Sequence, residues 1–336
     1  MYRLPLAISL QETDNLIETL ETEFELGPRE VARASKLMSF DLPPLVRPEI
    51  ISFMFGISYS LLLSMSRNPE YYYRTYKIKK YGGGTRQIEA PRRFLKLVQR
   101  WIYDYILSRV NLPISVHGFV PGKDIFSNAR VHLDSRNIMV VDIQDFFPSI
   151  GSKSVRHVFR ELDFPVKVAN RLTGLSTFQD RLPQGAPTSP ALANIIFSPV
   201  DEYLIHLAEE WECNYTRYAD DLIFSGDRVF SKGDTAQISK ILGESGFTIN
   251  TKKTRIIGSG ARQMITGLVA NQKGFPPREK RMEWRAMFHQ AKLNPVKYKG
   301  EGSRLAGIAA FVNMYDKALA QEYKQIAKKI MELDSR

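Results

Sequence analysis

The chain has 336 residues, with 47 Lys and Arg against 36 Asp and Glu for a formal charge of +11, and 43% of it is hydrophobic. That length suits two or three lobes and that apolar share is enough for a substantial core, so a disordered chain, a collagen-like chain and a small disulfide scaffold are excluded. A single cysteine, Cys213, allows neither an internal disulfide nor a cysteine-based zinc cage, and a reducing, cytoplasmic setting is expected. The opening stretch MYRLPLAISLQETDN lacks the basic start, long apolar run and small-residue cleavage site of an export signal.

Charge is unevenly spread. Residues 1–30 hold seven acids and two bases, a net of −5, so residues 31–336 carry +16. Within the acidic stretch, 10–26 reads as an amphipathic helix, and Pro43, Pro44 and Pro48 then break the chain. Residues 50–66 contain no charge, but they are rich in serine, and Ile50, Phe53, Met54, Ile57 and Leu61 recur at helical spacing. One buried helix is predicted there, with no membrane span and with partner contact as the other use of it. Residues 67–100 carry ten bases against two acids, and Tyr71, Tyr72, Tyr73, Tyr76 and Tyr81 alternate with Arg74, Lys77, Lys79 and Lys80. Such a stretch either grips phosphates and stacks bases, or is a solvated strand pair with its rings turned inward.

Strands are predicted at 73–78 and 86–90, joined across Gly82, Gly83 and Gly84, followed by a helix at 94–110 with Leu95, Val98, Ile102, Tyr103 and Ile106 inward. An apolar strand at 137–143 carries Asp142 at its far end. Then come a long helix at 189–210, a hairpin of 215–218 with 222–225, a helix at 233–244, and strands at 247–249, 255–257 and 264–270. The last part, 271–336, reads as helical and basic, with fourteen bases against seven acids. The order of elements over 137–257 describes an antiparallel sheet backed by helices.

Two acidic spots fall at the strand ends of that sheet: Asp142, and the turn Tyr218-Ala219-Asp220-Asp221. Carboxylates gathered without compensation are costly unless a cation neutralises them. Oxygen-only donors suit Mg²⁺, which keeps waters and is completed by substrate phosphates, and a pair of such ions serves phosphoryl transfer. Between the two spots, Leu182-Pro183-Gln184-Gly185-Ala186-Pro187-Thr188-Ser189-Pro190 opens the long helix. Gly185 would let backbone approach a ligand, and Gln184 offers an amide to a sugar or base edge.

Asp142 with Phe146-Phe147, the PQG run at 183–185 within 183–190, the YADD turn at 218–221 and Asn250-Thr251-Lys252-Lys253-Thr254 stand in the order of the palm motifs of reverse transcriptases. The chain therefore resembles an RNA-templated DNA polymerase of the right-hand fold, over about residues 70–270. The resemblance implies an α+β architecture: fingers at 67–136, a palm at 137–150 and 183–270, a helical insertion at 151–182, and a small helical thumb at 271–336 after an N-terminal helical region, 1–66. It implies dNTP substrates and two Mg²⁺ ions held by Asp142, Asp220 and Asp221, with the carbonyl of Ile143 also facing a metal. Asp145 is expected to lie outside the ligand set. Phe147 falls where the family has the ring that rejects a 2′-hydroxyl, and one of Phe146 and Phe147 is expected in the core. Gln184 and Gly185 match the residues beside the incoming nucleotide, and Arg86 with Lys79 match cations that grip its triphosphate. Tyr218 and Ala219 lie at the primer end. Lys253 is the candidate proton donor to pyrophosphate, with Lys252 an equal candidate.

Asn128-Ala129-Arg130-Val131-His132 resembles the NAxxH element of bacterial retron reverse transcriptases, and Ile265-Thr266-Gly267 their VTG element with Ile for Val. Gly307, Phe311 and Tyr315 fit a small thumb. The retron resemblance implies a cognate structured noncoding RNA, priming from the 2′-hydroxyl of an internal guanosine, a branched msDNA product and a phage-defence complex with an effector (toxin) protein. Asn128, His132, Ile265, Thr266, Gly267, Arg278, Lys280, Arg281 and Arg285 are then the candidate RNA contacts. The acidic N-terminal segment and the uncharged stretch at 50–66 are expected to face the thumb or the effector. The competing expectations are a group II intron, diversity-generating or abortive-infection enzyme, or an RNA-holding scaffold without catalysis. The first would usually need extensions for which residues up to 336 leave no room, and the last is disfavoured by the three intact aspartates.

Overall fold

The structure, a computed structural model, describes residues 13–79 and 83–334. Four helices come first: α1 (Thr13–Phe24), α2 (Pro28–Ser39), α3 (Pro48–Phe55) and α4 (Tyr59–Arg67). A ribbon of β1 (Tyr73–Lys79) and β2 (Thr85–Pro91) leads into α5 (Arg93–Tyr105). Then follow α6 (Ile125–Arg130), β3 (Asn137–Asp142), α7 (Ser152–Glu161), α8 (Val166–Ser176), the long α9 (Ser189–Glu210), β4 (Asn214–Tyr218), β5 (Asp221–Gly226), α10 (Lys232–Glu244) and β6 (Arg255–Gly258). The short strands β7 (Met264–Ile265) and β8 (Leu268–Val269) precede α11 (Arg278–Leu293), α12 (Gly302–Val312) and α13 (Lys317–Asp334). The chain divides into two compact units: one gathers residues up to 119 with 143–205 and 236–250, the other 120–142, 206–235 and 251 onward.

In the first unit the uncharged stretch is not one helix. Gly56 adopts φ +60°, its N–H bonds to the Phe53 carbonyl, and Ser58 caps a new helix by accepting from the Leu61 N–H. A left-handed residue that only glycine takes cheaply ends α3, and the two axes bend by 112°. Ile50, Met54, Leu62 and Met65 are buried, whereas Phe53 is 36% exposed and meets Phe24 edge-on. No single helix among the described residues is long and apolar enough to cross a membrane; the bent pair α3 and α4 passes that test only by length and composition. The predicted acidic helix appears as α1, with residues 10–12 outside the described residues.

The α4 end packs close to α8: a Cβ on Gly174 would lie 2.7 Å from the Ser66 carbonyl oxygen. Gly174→Ala should therefore cost about 1–3 kcal/mol, read as a lower urea midpoint at unchanged slope. The β1–β2 ribbon separates its rings by role. Tyr73 is buried, stacks on Phe178 at 4.6 Å and accepts a 2.7 Å hydrogen bond from Gln99, while Tyr71 and Tyr76 are exposed. Lys80, Tyr81 and Gly82 lie outside the described residues; Gly83 and Gly84 have the positive φ of a turn.

The second unit holds a four-stranded sheet in the order β4-β5-β3-β6, antiparallel throughout. Its apolar positions continue into a core with Phe126, Ala129, Ile138, Val140, Ile223, Ile265 and Leu268. Around α11, α12 and α13 a separate core gathers Phe288, Leu305, Ala309, Val312, Ala327 and Ile330. Two predicted strands shrink. The stretch 247–249 keeps one bridge, Ile143 with Ile249, and 264–270 splits into β7 and β8 because Thr266 and Gly267 both take positive φ. The helix predicted to reach 110 ends at Tyr105, before a 3-10 turn at Leu107–Arg109.

Candidate active site

β3 is buried from Ile138 onward and delivers Asp142 to its end, where it lies directly across the ladder from Asp221. Paired residues on adjacent antiparallel strands have Cα atoms about 4.5–5.5 Å apart, so the two carboxylates are within a side chain's reach. Tyr218 and Asp221 close the β4–β5 hairpin, leaving Ala219 and Asp220 as a two-residue turn. Ala219 sits at φ +57°, a left-handed conformation that favours glycine. Arg217, wholly buried, donates from Nη1 to the Ala219 carbonyl at 3.3 Å and holds this turn.

The electrostatics follow. Burial first, then the Asp220 and Asp142 carboxylates, push the Asp221 carboxyl up to about 7, against the partial relief of Arg255 and Lys253. Lys253 Nζ lies 2.7 Å from Asp142 Oδ2, and that bond raises the lysine further above its ordinary value. Lys252 is exposed and has no ion pair among the described residues, so the two lysines that the sequence leaves equal are not equal in space. Burial raises the Tyr218 phenol, with the Asp124 charge adding to it.

These donors fit a hard cation. They are oxygens only, they share charge that Arg255 and Lys253 compensate in part, and burial together with that shared charge keeps the Asp221 carboxyl near neutrality. Among the described residues no three acidic, imidazole or thiol side chains form a finished metal cage. An ion here would keep waters or take substrate oxygens as further ligands.

The nucleotide candidates belong to the first unit. Phe146 is the core ring, 4% exposed among Phe197 and Phe247, whereas Phe147 is half-buried beside Phe146 and Phe119. The Ile143 side chain is buried at its bridge with Ile249, and Asp145 is exposed at φ +47°. Gln184 is half-buried, and its carbonyl accepts from the Glu89 N–H at 2.9 Å. Gly185, at φ +138°, corrects the expectation of close approach to a ligand: a Cβ there would lie 3.1 Å from Glu89 O and from Ile88 Cγ2, so the backbone it admits is β2. Lys79 pairs with Thr85 and Arg86 with Ile78, which sets Lys79 and Arg86 on opposite faces of the ribbon rather than side by side.

Sequence reasoning missed two buried charges. Arg217 shows in the sequence only as a cation inside an apolar strand. Glu89, 2% exposed, is held by both guanidinium nitrogens of Arg181 at 2.6 and 2.8 Å and ties β2 to the segment before Gln184.

Several RNA candidates are internal. Asn128 and His132 are fully buried: His132 bonds Ser225 Oγ at 2.7 Å and Thr216 Oγ1 at 2.6 Å, and Thr216 donates to Asn128 Oδ1 at 2.6 Å. They lock α6 to β4 and β5, which corrects the expectation of direct RNA contact. His132→Ala should cost about 2–3 kcal/mol of stability in urea denaturation while leaving the salt dependence of RNA binding unchanged. Ile265 is likewise buried, and Thr266 Oγ1 donates to the Ile125 carbonyl at 3.4 Å, so the 265–267 turn braces α6; Gly267 is exposed. On α11, Arg278 and Arg285 are exposed, Lys280 pairs with Glu283 at 2.8 Å, and Arg281 donates to the Pro276 carbonyl at 3.1 Å.

A family model for reverse transcriptases (RNA-dependent DNA polymerases) matches residues 78–298. The chain is 34% identical over 311 residues to the retron Mx65 reverse transcriptase of Myxococcus xanthus, covering 85% of this chain and 72% of that protein. It is 30% identical over 347 residues to the retron Mx162 reverse transcriptase of the same organism, covering 91% and 70%. The retron Ec86 reverse transcriptase of Escherichia coli is 30% identical over 308 residues, covering 90% and 93%. With an antiparallel sheet that pairs Asp142 with Asp221, a family match across its middle and relatives along most of its length, the chain belongs to the retron reverse transcriptases, RNA-dependent DNA polymerases of the right-hand fold.

Proposed function

We propose that this protein copies a structured noncoding RNA of its own into DNA. It would begin from the 2′-hydroxyl of an internal guanosine and yield branched msDNA held in a phage-defence complex with an effector protein. The single observation that carries the catalytic part is the ladder pair Asp142 and Asp221, with Asp220 in the adjoining turn and Asp221 driven toward neutrality by burial and then by the Asp220 and Asp142 carboxylates. Asp142, Asp220 and Asp221, with the Ile143 carbonyl, would hold two Mg²⁺ ions, and these would supply positive charge where the phosphoryl group transfers. The protein's own residues do the rest. Lys253 delivers a proton to the departing pyrophosphate, Phe147 excludes a 2′-hydroxyl, Gln184 borders the dNTP, Arg86 attracts its triphosphate, and Tyr218 with Ala219 carries the primer end.

The lobes proposed with this function are fingers at 67–136, a palm at 137–150 and 183–270 around an insertion at 151–182, and a thumb from 271. The thumb grips RNA, with Arg278 and Arg285 its leading exposed cations. The test is to purify the protein from its native host and sequence what it carries. A short DNA joined 2′–5′ to RNA supports this function, and tRNA or random RNA removes it.

A further inference from the structure

The region around α11 and α13 encloses a hollow of about 70 Å³ lined by Arg281, Trp284, Arg285, Tyr315, Asp316 and Tyr323, among others. At about 10–15 Å³ for each water on this measure, it has room for several waters or one tetrahedral oxyanion. Its lining is rich in donors. Tyr323 is 4% exposed and stacks flat on Phe288 at 3.7 Å, which fixes the ring, yet its hydroxyl is buried with no hydrogen-bond partner. Such a group is rarely left unmet without a reason.

Arg285 has no hydrogen-bond or ion-pair partner among the described residues, and it lies near enough to both phenols to favour their ionised forms. Arg281 spends Nε on the Pro276 carbonyl and lies over the Phe275 ring, which fixes its guanidinium at the rim. The one acid, Asp316, accepts from the Leu319 N–H at 3.0 Å, so its charge caps the start of α13. Two guanidinium groups and an unmet hydroxyl around a small hollow make a site for an anion with several oxygens.

We propose that this hollow seats one phosphate group of the bound RNA backbone, with Arg281 and Arg285 pairing its oxygens and the Tyr323 hydroxyl donating the hydrogen bond it otherwise lacks. This rests on the reading of the thumb as the RNA-gripping region and sharpens it from a basic face to one address. A phosphate that enters a hollow must come from a sharply turned strand, so the seat selects a loop or bulge rather than a regular helix.

The test measures binding of the RNA that co-purifies with the full-length protein, by fluorescence anisotropy over a range of salt. Tyr323→Phe keeps the ring stack and removes only the oxygen; it should bind about tenfold more weakly. Arg285→Gln should weaken binding about tenfold and lower the salt slope by about one. The two losses should not add, because both act on one phosphate. Lys328→Gln, which removes an exposed cation elsewhere on α13, should change affinity about twofold at most. Orthophosphate should compete with RNA more strongly in the wild type than in Tyr323→Phe.

Wild-type affinity in Tyr323→Phe, or simple additivity of the two losses, overturns the proposal. So does orthophosphate binding that depends on Tyr323 while RNA affinity does not, because the hollow then serves a free small anion. Primer extension by the wild type on poly(rA) with oligo(dT) checks the polymerase reading separately. Failure there with Tyr323-dependent RNA binding intact would sink the function and leave the phosphate seat standing.

Discussion

Asp142→Asn or Asp220→Asn is expected to lower RNA-templated DNA synthesis by at least about 10³-fold while leaving RNA affinity within about twofold. The carboxylates stand at the ends of strands that are otherwise buried and regular, so an isosteric amide leaves β3, β4 and β5 in register. What it removes is the negative charge that gathers cations where a phosphoryl group would transfer, and removal of a principal electrostatic element costs on that scale. Affinity for RNA is carried by phosphate contacts and does not depend on these three acids. Lys253→Met should lose about 10²-fold, as loss of a general acid does, whereas Lys252→Met should lose little, because Lys253 is the one paired with Asp142. Equal losses for the two lysines in steady-state kinetics would reject that assignment.

The second large effect is on stability and needs no substrate. With divalent ions removed, the protein should become less stable as pH rises from about 4 to about 7, and Asp221→Asn should abolish that slope. The Asp221 carboxyl titrates at about 7 in the folded protein against an ordinary 3.8. Above about pH 4 the unfolded chain has released this proton and the folded chain has not, so the unfolded state gains relative to the native one. The effect saturates once pH passes the folded value. At 1.36 kcal/mol per pH unit the full penalty is roughly 4 kcal/mol. Urea midpoints with EDTA should therefore coincide for wild type and Asp221→Asn near pH 4 and favour the variant at pH 8. Added Mg²⁺ at pH 8 should stabilise the wild type and leave the variant nearly unmoved. A variant less stable than wild type at pH 8 would contradict the crowding of charge at this turn.

Much of the site could be read from pattern alone because its parts are local. An apolar run that ends in Asp142, and a turn between two apolar runs that bears Asp220 and Asp221, announce strands with acids at their tips, and the ladder brings those tips together. What pattern could not convey was which residues meet across long separations. Asn128 and His132 look like free polar groups in a loop until Thr216 and Ser225, 84 and 93 residues beyond His132, close on them. Gly185 looks like a ligand-facing glycine until β2 is seen against it. Gly56 lies in an apolar run whose helical spacing continues through it, and only its left-handed conformation marks the break. Lys252 and Lys253 are indistinguishable by composition, and the 2.7 Å pair with Asp142 separates them.

The most direct measurement supplies the purified protein with an RNA of defined sequence, a primer, four dNTPs and Mg²⁺, then sequences the product. Complementary DNA from the wild type, with none above background from Asp142→Asn or Asp220→Asn, is the predicted result. DNA unrelated to the template, or complementary DNA made equally well by those variants, would contradict a polymerase centred on the β3 end and the β4–β5 turn.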